Sequence, residues 1–195
     1  MANPRQVSVT ENGNVRIHPV VCFESIPHKK RELLNTGLVE FAGSWKVGSS
    51  KITGSQKSGQ KEGIAAIIGR HSINAGFRFS FKGKINFLFS CSLDLSGGYR
   101  LKFDSDRNRI SLHHLHSTNL SAPQELDGLA IPGVFQEHGN EIIIFLDYTI
   151  LEVYINNQTV FSSRCYLQSE ENNYWGFHSQ EGNAVIDAFE HIELL

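Results

Sequence analysis

GFRFSFKGKINFLFSCSLDLSGGYRLKFD, residues 76–104, changes character at every second position. Phe77, Phe79 and Phe81 alternate with Arg78, Ser80 and Lys82, and Tyr99, Leu101 and Phe103 alternate with Arg100, Lys102 and Asp104. Successive side chains of a strand point to opposite faces, so each run predicts a strand with one dry and one wet side. Between them, Ile85, Phe87, Phe89, Cys91 and Leu93 form a third apolar face. The turn Asp104-Ser105-Asp106-Arg107-Asn108 then leads to Ile110, Leu112 and His114, which repeat the pattern.

The same period continues outward to the C-terminus through EIIIFLD, LEVYI, TVFSS, YWGFHS and AVIDAFEHIEL. Ten to twelve short strands at this spacing predict an all-β fold, a two-sheet antiparallel β-sandwich of the concanavalin-like jelly-roll kind. Towards the N-terminus, Val7, Val9, Val15 and Ile17 flank Glu11-Asn12-Gly13-Asn14 and predict a hairpin. SIPHKKRELLNTG, residues 25–37, predicts one short helix with a glycine exit. Residues 48–63, rich in Gly, Ser and Lys, read as a mobile loop. The expected division is hairpin and helix over residues 1–35 and sandwich over residues 36–195.

Composition agrees with this class and excludes several functions. Thirteen Phe and 17 Gly against a single Met favour strands and turns. A formal net charge of −2 supplies no field for nucleic acid or an anionic bilayer, and neither is an expected partner. No apolar run reaches the ~18 residues of a spanning helix, and the start lacks a signal-peptide pattern. Cys22, Cys91 and Cys165 are odd in number and widely spaced, which predicts buried free thiols. Cytoplasmic residence is the expectation from these two observations.

Two separated stretches resemble one family. Pro4-Arg5, Gly13, His18-Pro19-Val20 and Glu24-Ser25-Ile26 are similar to the passage by which glycoside hydrolase family 32 enzymes, the invertases, levanases and inulinases, leave their catalytic propeller for a C-terminal β-sandwich. Asp147, Glu152, Val153, Tyr154, Asn156 and Arg164 resemble the Asp, Glu, aromatic, Asn and closing Arg of that module's hairpin. Thr149 stands where the family usually has Ser, and Gln158 where a Gly would ease the turn.

The resemblance implies two-carboxylate retaining catalysis in the propeller, with Asn-Asp-Pro, Glu-Cys and Arg-Asp-Pro motifs. This sequence contains no Asp-Pro and no Glu-Cys. Five propeller blades of about 40 residues would also need about 200 residues, which the chain cannot spare. The expectation is therefore a non-catalytic sandwich module, partnered by a catalytic propeller domain or a separate catalytic chain and needing no cofactor.

Glu152 shares a strand face with Tyr154, opposite Leu151, Val153 and Ile155, and is expected to accept hydrogen bonds from Arg164 or turn amides rather than to catalyse. A glucanase on a concanavalin-like sandwich would need Glu-x-Asp-x-x-Glu, which is absent. His114 and His116, in HHLH with His113, project to one side of a strand, but no third ligand is predictable and a surface strand end is the favoured reading.

Glycan contact calls for aromatic faces beside planar polar groups. Trp45, Tyr99, Trp175 and His178, with Arg100 and Asn173, are the candidates, for a fructan or another glycan. A free-standing lectin-like module is the alternative function. The aliphatic surface at Val15, Ile17, Val20 and Val21 exceeds what a hairpin buries on itself, so the isolated chain is expected to form a homodimer.

Overall fold

The structure, a computed structural model, describes residues 5–13, 15–19, 28–31, 38–58, 63–116, 124–157, 159–166 and 173–194. Among them are seventeen strands, numbered here in chain order, and no helix. One antiparallel sheet runs β12 (Gln124–Ala130), β11 (Arg109–Leu115), β10 (Gly98–Asp104), β9 (Asn86–Cys91), β16 (Tyr174–Ser179), β7 (Ile64–Arg70) and β4 (Val39–Ala42). The other runs β15 (Thr159–Arg164), β14 (Ile150–Ile155), β13 (Asn140–Asp147), β8 (Asn74–Phe81), β17 (Asn183–Leu194), β6 (Ile52–Ser55) and β5 (Ser44–Val47), with β3 (His28–Arg31) also on β17. A separate hairpin, β1 (Arg5–Val9) and β2 (Val15–Pro19), lies against β15.

The alternating faces meet where the sequence predicts. Phe77, Phe79 and Phe81 of β8 enter one core with Phe87 and Phe89 of β9, Tyr99, Leu101 and Phe103 of β10, and Trp175 and Phe177 of β16. Both outer faces carry smaller apolar patches: Ile143, Phe145, Tyr154 and Ile192 on one sheet, and Ile67, Leu88, Cys91, Leu95 and Leu115 on the other.

Three expectations are corrected. His28–Arg31, read as part of a helix, is a strand; β6 covers β17 only over Asn183–Ile186, and β3 supplies backbone partners to His191–Leu194 further along. The rest of that helix, residues 32–37, lies outside the described residues, as do Val20, Val21 and Cys22. Residues 48–63 contain β6, because Ile52 is buried and Gly54 packs where a side chain would strike Trp45 and Ile64. Cys91 does not share a face with Phe89: Ser90 has a left-handed φ of 49°, which turns Cys91 into the outer patch and leaves Leu93 exposed. Cys91 and Cys165 are buried free thiols, as the spacing predicts.

Gly176 sits where β16 shifts register between β7 and β9, and a β-carbon there would strike the carbonyl oxygen of Ala66. Gly176→Ala should therefore force the two strands apart and cost about 2–4 kcal/mol. Equilibrium urea unfolding measures this, and a midpoint equal to that of the parent chain would contradict the close approach.

Candidate functional site

Two outer faces carry the polar residues of interest. On the β14 side, Leu151, Val153 and Ile155 point into the core while Glu152 and Tyr154 point outward, beneath the hairpin. Glu152 is only 1% exposed, yet its Oε1 accepts a charge-assisted bond of 2.8 Å from Arg5 of β1. The same Arg5 nitrogen donates to Ser162 Oγ at 2.5 Å, and the Tyr154 hydroxyl donates to Glu152 Oε2 at 3.4 Å. Burial, followed by the neighbouring Glu152 charge, pushes the Tyr154 phenol up to about 12.

Arg164, the partner expected from sequence, is exposed and stands opposite Ile150, two pairs further along the ladder than Ser162, which faces Glu152. The correction has a simple cause: Arg5 lies 147 residues from Glu152, and only the folded hairpin brings them together. Asp147, at the far end of β13, pairs in register with Ile150 and Asn74. A carboxylate held by Arg5 and closed off from water is placed to clamp the hairpin, not to attack a sugar. Glu152→Gln should lower stability by about 1–3 kcal/mol, and a Glu152/Arg5 double-mutant cycle should show the two losses coupled. Strictly additive losses would contradict the clamp.

Asn156 serves the same hairpin at its turn. It and Asn157 both take left-handed φ values, 50° and 52°, which asparagine tolerates. Its Oδ1 accepts from the Glu141 amide at 2.8 Å, and its Nδ2 donates to Val134 O at 2.7 Å and to Asn140 Oδ1 at 2.9 Å. The side chain thus ties the β14–β15 turn to the loop before β13.

The second face belongs to the seven-stranded sheet. Because Tyr99, Leu101 and Phe103 point inward, Arg100, Lys102 and Asp104 point outward. Register places His178, Asn86, Lys102 and Ser111 in one row across four strands, and Leu88, Arg100 and His113 in the next. Asn86 Nδ2 donates to His178 Nδ1 at 2.8 Å, and Ser111 Oγ lies 2.8 Å from His113 Nε2. Burial, with the nearby Arg100 charge adding to it, depresses His178 to about 4; burial alone lowers Arg100 to about 10. This row ends in a cleft lined by Lys84, Asn86, Lys102, Asp104, Asp106 and Gln180.

The sequence candidates for glycan contact separate in the structure. Arg100 and His178 share the outer polar face, where both are buried. Trp45, Tyr99 and Trp175 lie in the inner core and offer no flat face to solvent; Trp175 is 1% exposed and stacks on Phe189 at 4.8 Å. Asn173 precedes β16, and its carbonyl accepts from the His71 amide at 2.8 Å. Alternation reveals that an aromatic has a face, but not which face is wet. Lys84, Asn86, Lys102, Asp104 and Asp106, which line the cleft, are not among the sequence candidates, although the outward alternation of Lys102 and Asp104 was a usable signal for their exposure on that face.

His114 Nδ1 lies 3.2 Å from His116 Nε2, which is 2.8 Å from Gln124 Oε1. Among the described residues, no group of three or more His, Cys, Asp or Glu side chains is arranged to hold a metal.

The profile of the glycosyl hydrolases family 32 C terminal domain matches residues 43–194. The chain belongs to this family. No curated protein matches it in sequence. Among solved structures, the family 32 sandwich is similar to the carbohydrate binding module CBM66 from Bacillus subtilis, with TM-score 0.62 and 11% identity over 79% of this chain and 94% of that one. It is similar to exo-inulinase from Aspergillus awamori, with TM-score 0.62 and 14% identity over 100% of this chain and 36% of that one. A third is sucrose-6-phosphate hydrolase from Lactobacillus gasseri, with TM-score 0.59 and 11% identity over 98% and 33%. The chain thus spans about a third of each of these two enzymes and nearly all of the binding module. At such identities the likeness is one of fold.

Proposed function

We propose that this family 32 sandwich is a non-catalytic module that packs on the catalytic domain of a β-fructosidase-type enzyme and contacts its carbohydrate. The observation that carries this reading is the family match over residues 43–194 of a chain that has neither Asp-Pro nor Glu-Cys. Full-length superposition on about a third of exo-inulinase supports it, since an enzyme of that size devotes its remaining length to other structure.

The N-terminal hairpin is the docking element. Val7 and Val9 are 64% and 66% exposed, and Val15 is exposed beside the half-buried Ile17, while Arg5 ties the hairpin to the sandwich through Glu152. Such a surface beside a clamped anchor suits a permanent neighbour. Without its catalytic partner the chain should dimerise through this surface, and Val15→Asp should move it towards monomer while the sandwich stays folded. Sedimentation velocity at several concentrations decides this. A monomeric parent whose β1 and β2 amides resist hydrogen exchange would remove the docking argument.

A stand-alone carbohydrate-binding module is the second reading, favoured by coverage of 94% of a chain that is itself such a module. Binding to glycan by the isolated chain, with no gain in stability on addition of a family 32 catalytic domain, would select it.

A further inference from the structure

We propose that His114, His116 and Gln124, at the edge of the seven-stranded sheet, bind a divalent transition-metal ion of the zinc and copper class through two imidazole nitrogens and one amide oxygen. His114 Nδ1 lies 3.2 Å from His116 Nε2, which in turn lies 2.8 Å from Gln124 Oε1. At zinc–nitrogen lengths of about 2.0–2.1 Å, two nitrogens 3.2 Å apart subtend an angle of about 100° at the ion, close to the tetrahedral value. The third donor, which the sequence does not predict, is Gln124.

Two neighbouring segments bring the donors together. His114 lies in β11 and His116 directly follows it, so the two side chains stand on one side of an extended segment. The ladder between β11 and β12 shifts register between Leu112 and His113. Counted on from the Leu112 and Asp127 pair, an unbroken ladder would set Glu125 opposite His114; the irregularity sets Gln124 there instead. Such irregularities re-aim side chains. β12 is an edge strand, bonded in its sheet to β11 alone and exposed along its whole length. An ion held by these three residues would fasten the first residue of that edge strand to the end of β11.

The protonation of the three atoms favours a cation over the hydrogen bonds alone. Gln124 Oε1 only accepts, so the proton between it and His116 belongs to His116 Nε2, and His114 Nδ1 accepts from the same N–H. One hydrogen thus serves three electron-rich atoms. A metal ion bonds all three once His116 carries its proton on Nδ1 instead. Burial, then the neighbouring His116 charge, lowers His114, which keeps its ring in the neutral form that a metal needs. Two imidazoles suit zinc and copper, whereas calcium and magnesium take oxygen ligands. Among the described residues no third His, Cys, Asp or Glu joins the pair, so a dissociation constant on the order of 10 μM is expected, with the remaining position open to water.

The test is titration of the whole chain with zinc chloride, in competition with a chromophoric chelator, and with nitrogen-15 NMR of the imidazoles. His116→Ala and Gln124→Ala are the variants, both at exposed residues whose truncation leaves the core untouched. The expected result is one ion per chain, with affinity about tenfold or more weaker in His116→Ala and about threefold weaker in Gln124→Ala. Zinc should move the resonances of His114 Nδ1 and His116 Nε2, the two nitrogens that face each other. Zinc affinity unchanged in His116→Ala would overturn the site, as would a parent chain that binds no tighter than about 1 mM. Affinity unchanged in Gln124→Ala would overturn the three-donor geometry, and equal affinity for calcium or magnesium would overturn the class of ion. None of these outcomes bears on the module reading, which is tested by whether the chain stabilises a family 32 catalytic domain.

Discussion

Replacing Phe79 with alanine should remove about 3–5 kcal/mol of stability, the range for truncating a fully buried aromatic ring. Phe79 is fully buried and joins the two sheets. Its ring centroid lies 5.7 Å from Phe87, 5.3 Å from Phe177 and 6.4 Å from Phe103, all on the seven-stranded sheet. It also lies 6.2 Å from Phe189 of its own sheet. Truncation deletes the transfer energy of an aromatic ring and leaves a cavity that rigid strands on both sides cannot close. Urea unfolding is the measurement, and a variant with the parent's midpoint would mean that the central strand has been misassigned.

Acid should destabilise the sandwich well above the carboxylate range, through two buried neutral histidines. His71 Nε2 accepts from the Ser90 amide at 2.9 Å, and its Nδ1 donates to Ser72 O at 2.7 Å, so the ring has no room for a second proton. Burial depresses it to about 4, against which the Ser72 bond is the weaker influence; His178 is also depressed to about 4. Unfolding returns each ring to an ordinary value near 6.5, so between pH 6.5 and about 4 the unfolded chain holds more protons than the native one. Stability from these groups is complete above pH 6.5 and falls as pH drops through that window, by about 3 kcal/mol per histidine. Unfolding free energies at pH 7.5 and 4.5 should therefore differ by several kcal/mol. A flat profile over that interval would show that the two rings are not held neutral.

The sandwich was legible because its strongest signal is local. Phe77, Phe79 and Phe81 alternate with polar neighbours, and no other arrangement keeps that side dry. What escaped depended on contacts between distant segments or on one backbone angle. Nothing near Ser90 in the sequence announces a left-handed residue, yet that angle sends Cys91 to the opposite side from Phe89. The basic run at His28–Arg31 satisfies a helix pattern locally, but the uncovered length of β17 claims it as a strand. Trp175 and Arg100 look equally suited to a glycan platform in sequence. Only the stacking of the sheets shows that the tryptophan faces the core and the arginine the polar outer face. Arg5, the partner of Glu152, was visible as a motif residue, but its role required the hairpin to be folded against β15.

That role bears on the central claim, that this chain contributes architecture and binding rather than bond cleavage. Its one fully buried carboxylate among the described residues is spent on Arg5, and the sequence lacks the motifs of the retaining pair. The direct measurement is release of fructose from sucrose, inulin and levan by the purified chain and by its Glu152→Gln variant, with melting curves recorded for both. The account predicts no release above the blank from either protein and a lower melting temperature for the variant. Turnover by the parent chain that disappears in Glu152→Gln, with the melting curve unchanged, would contradict it.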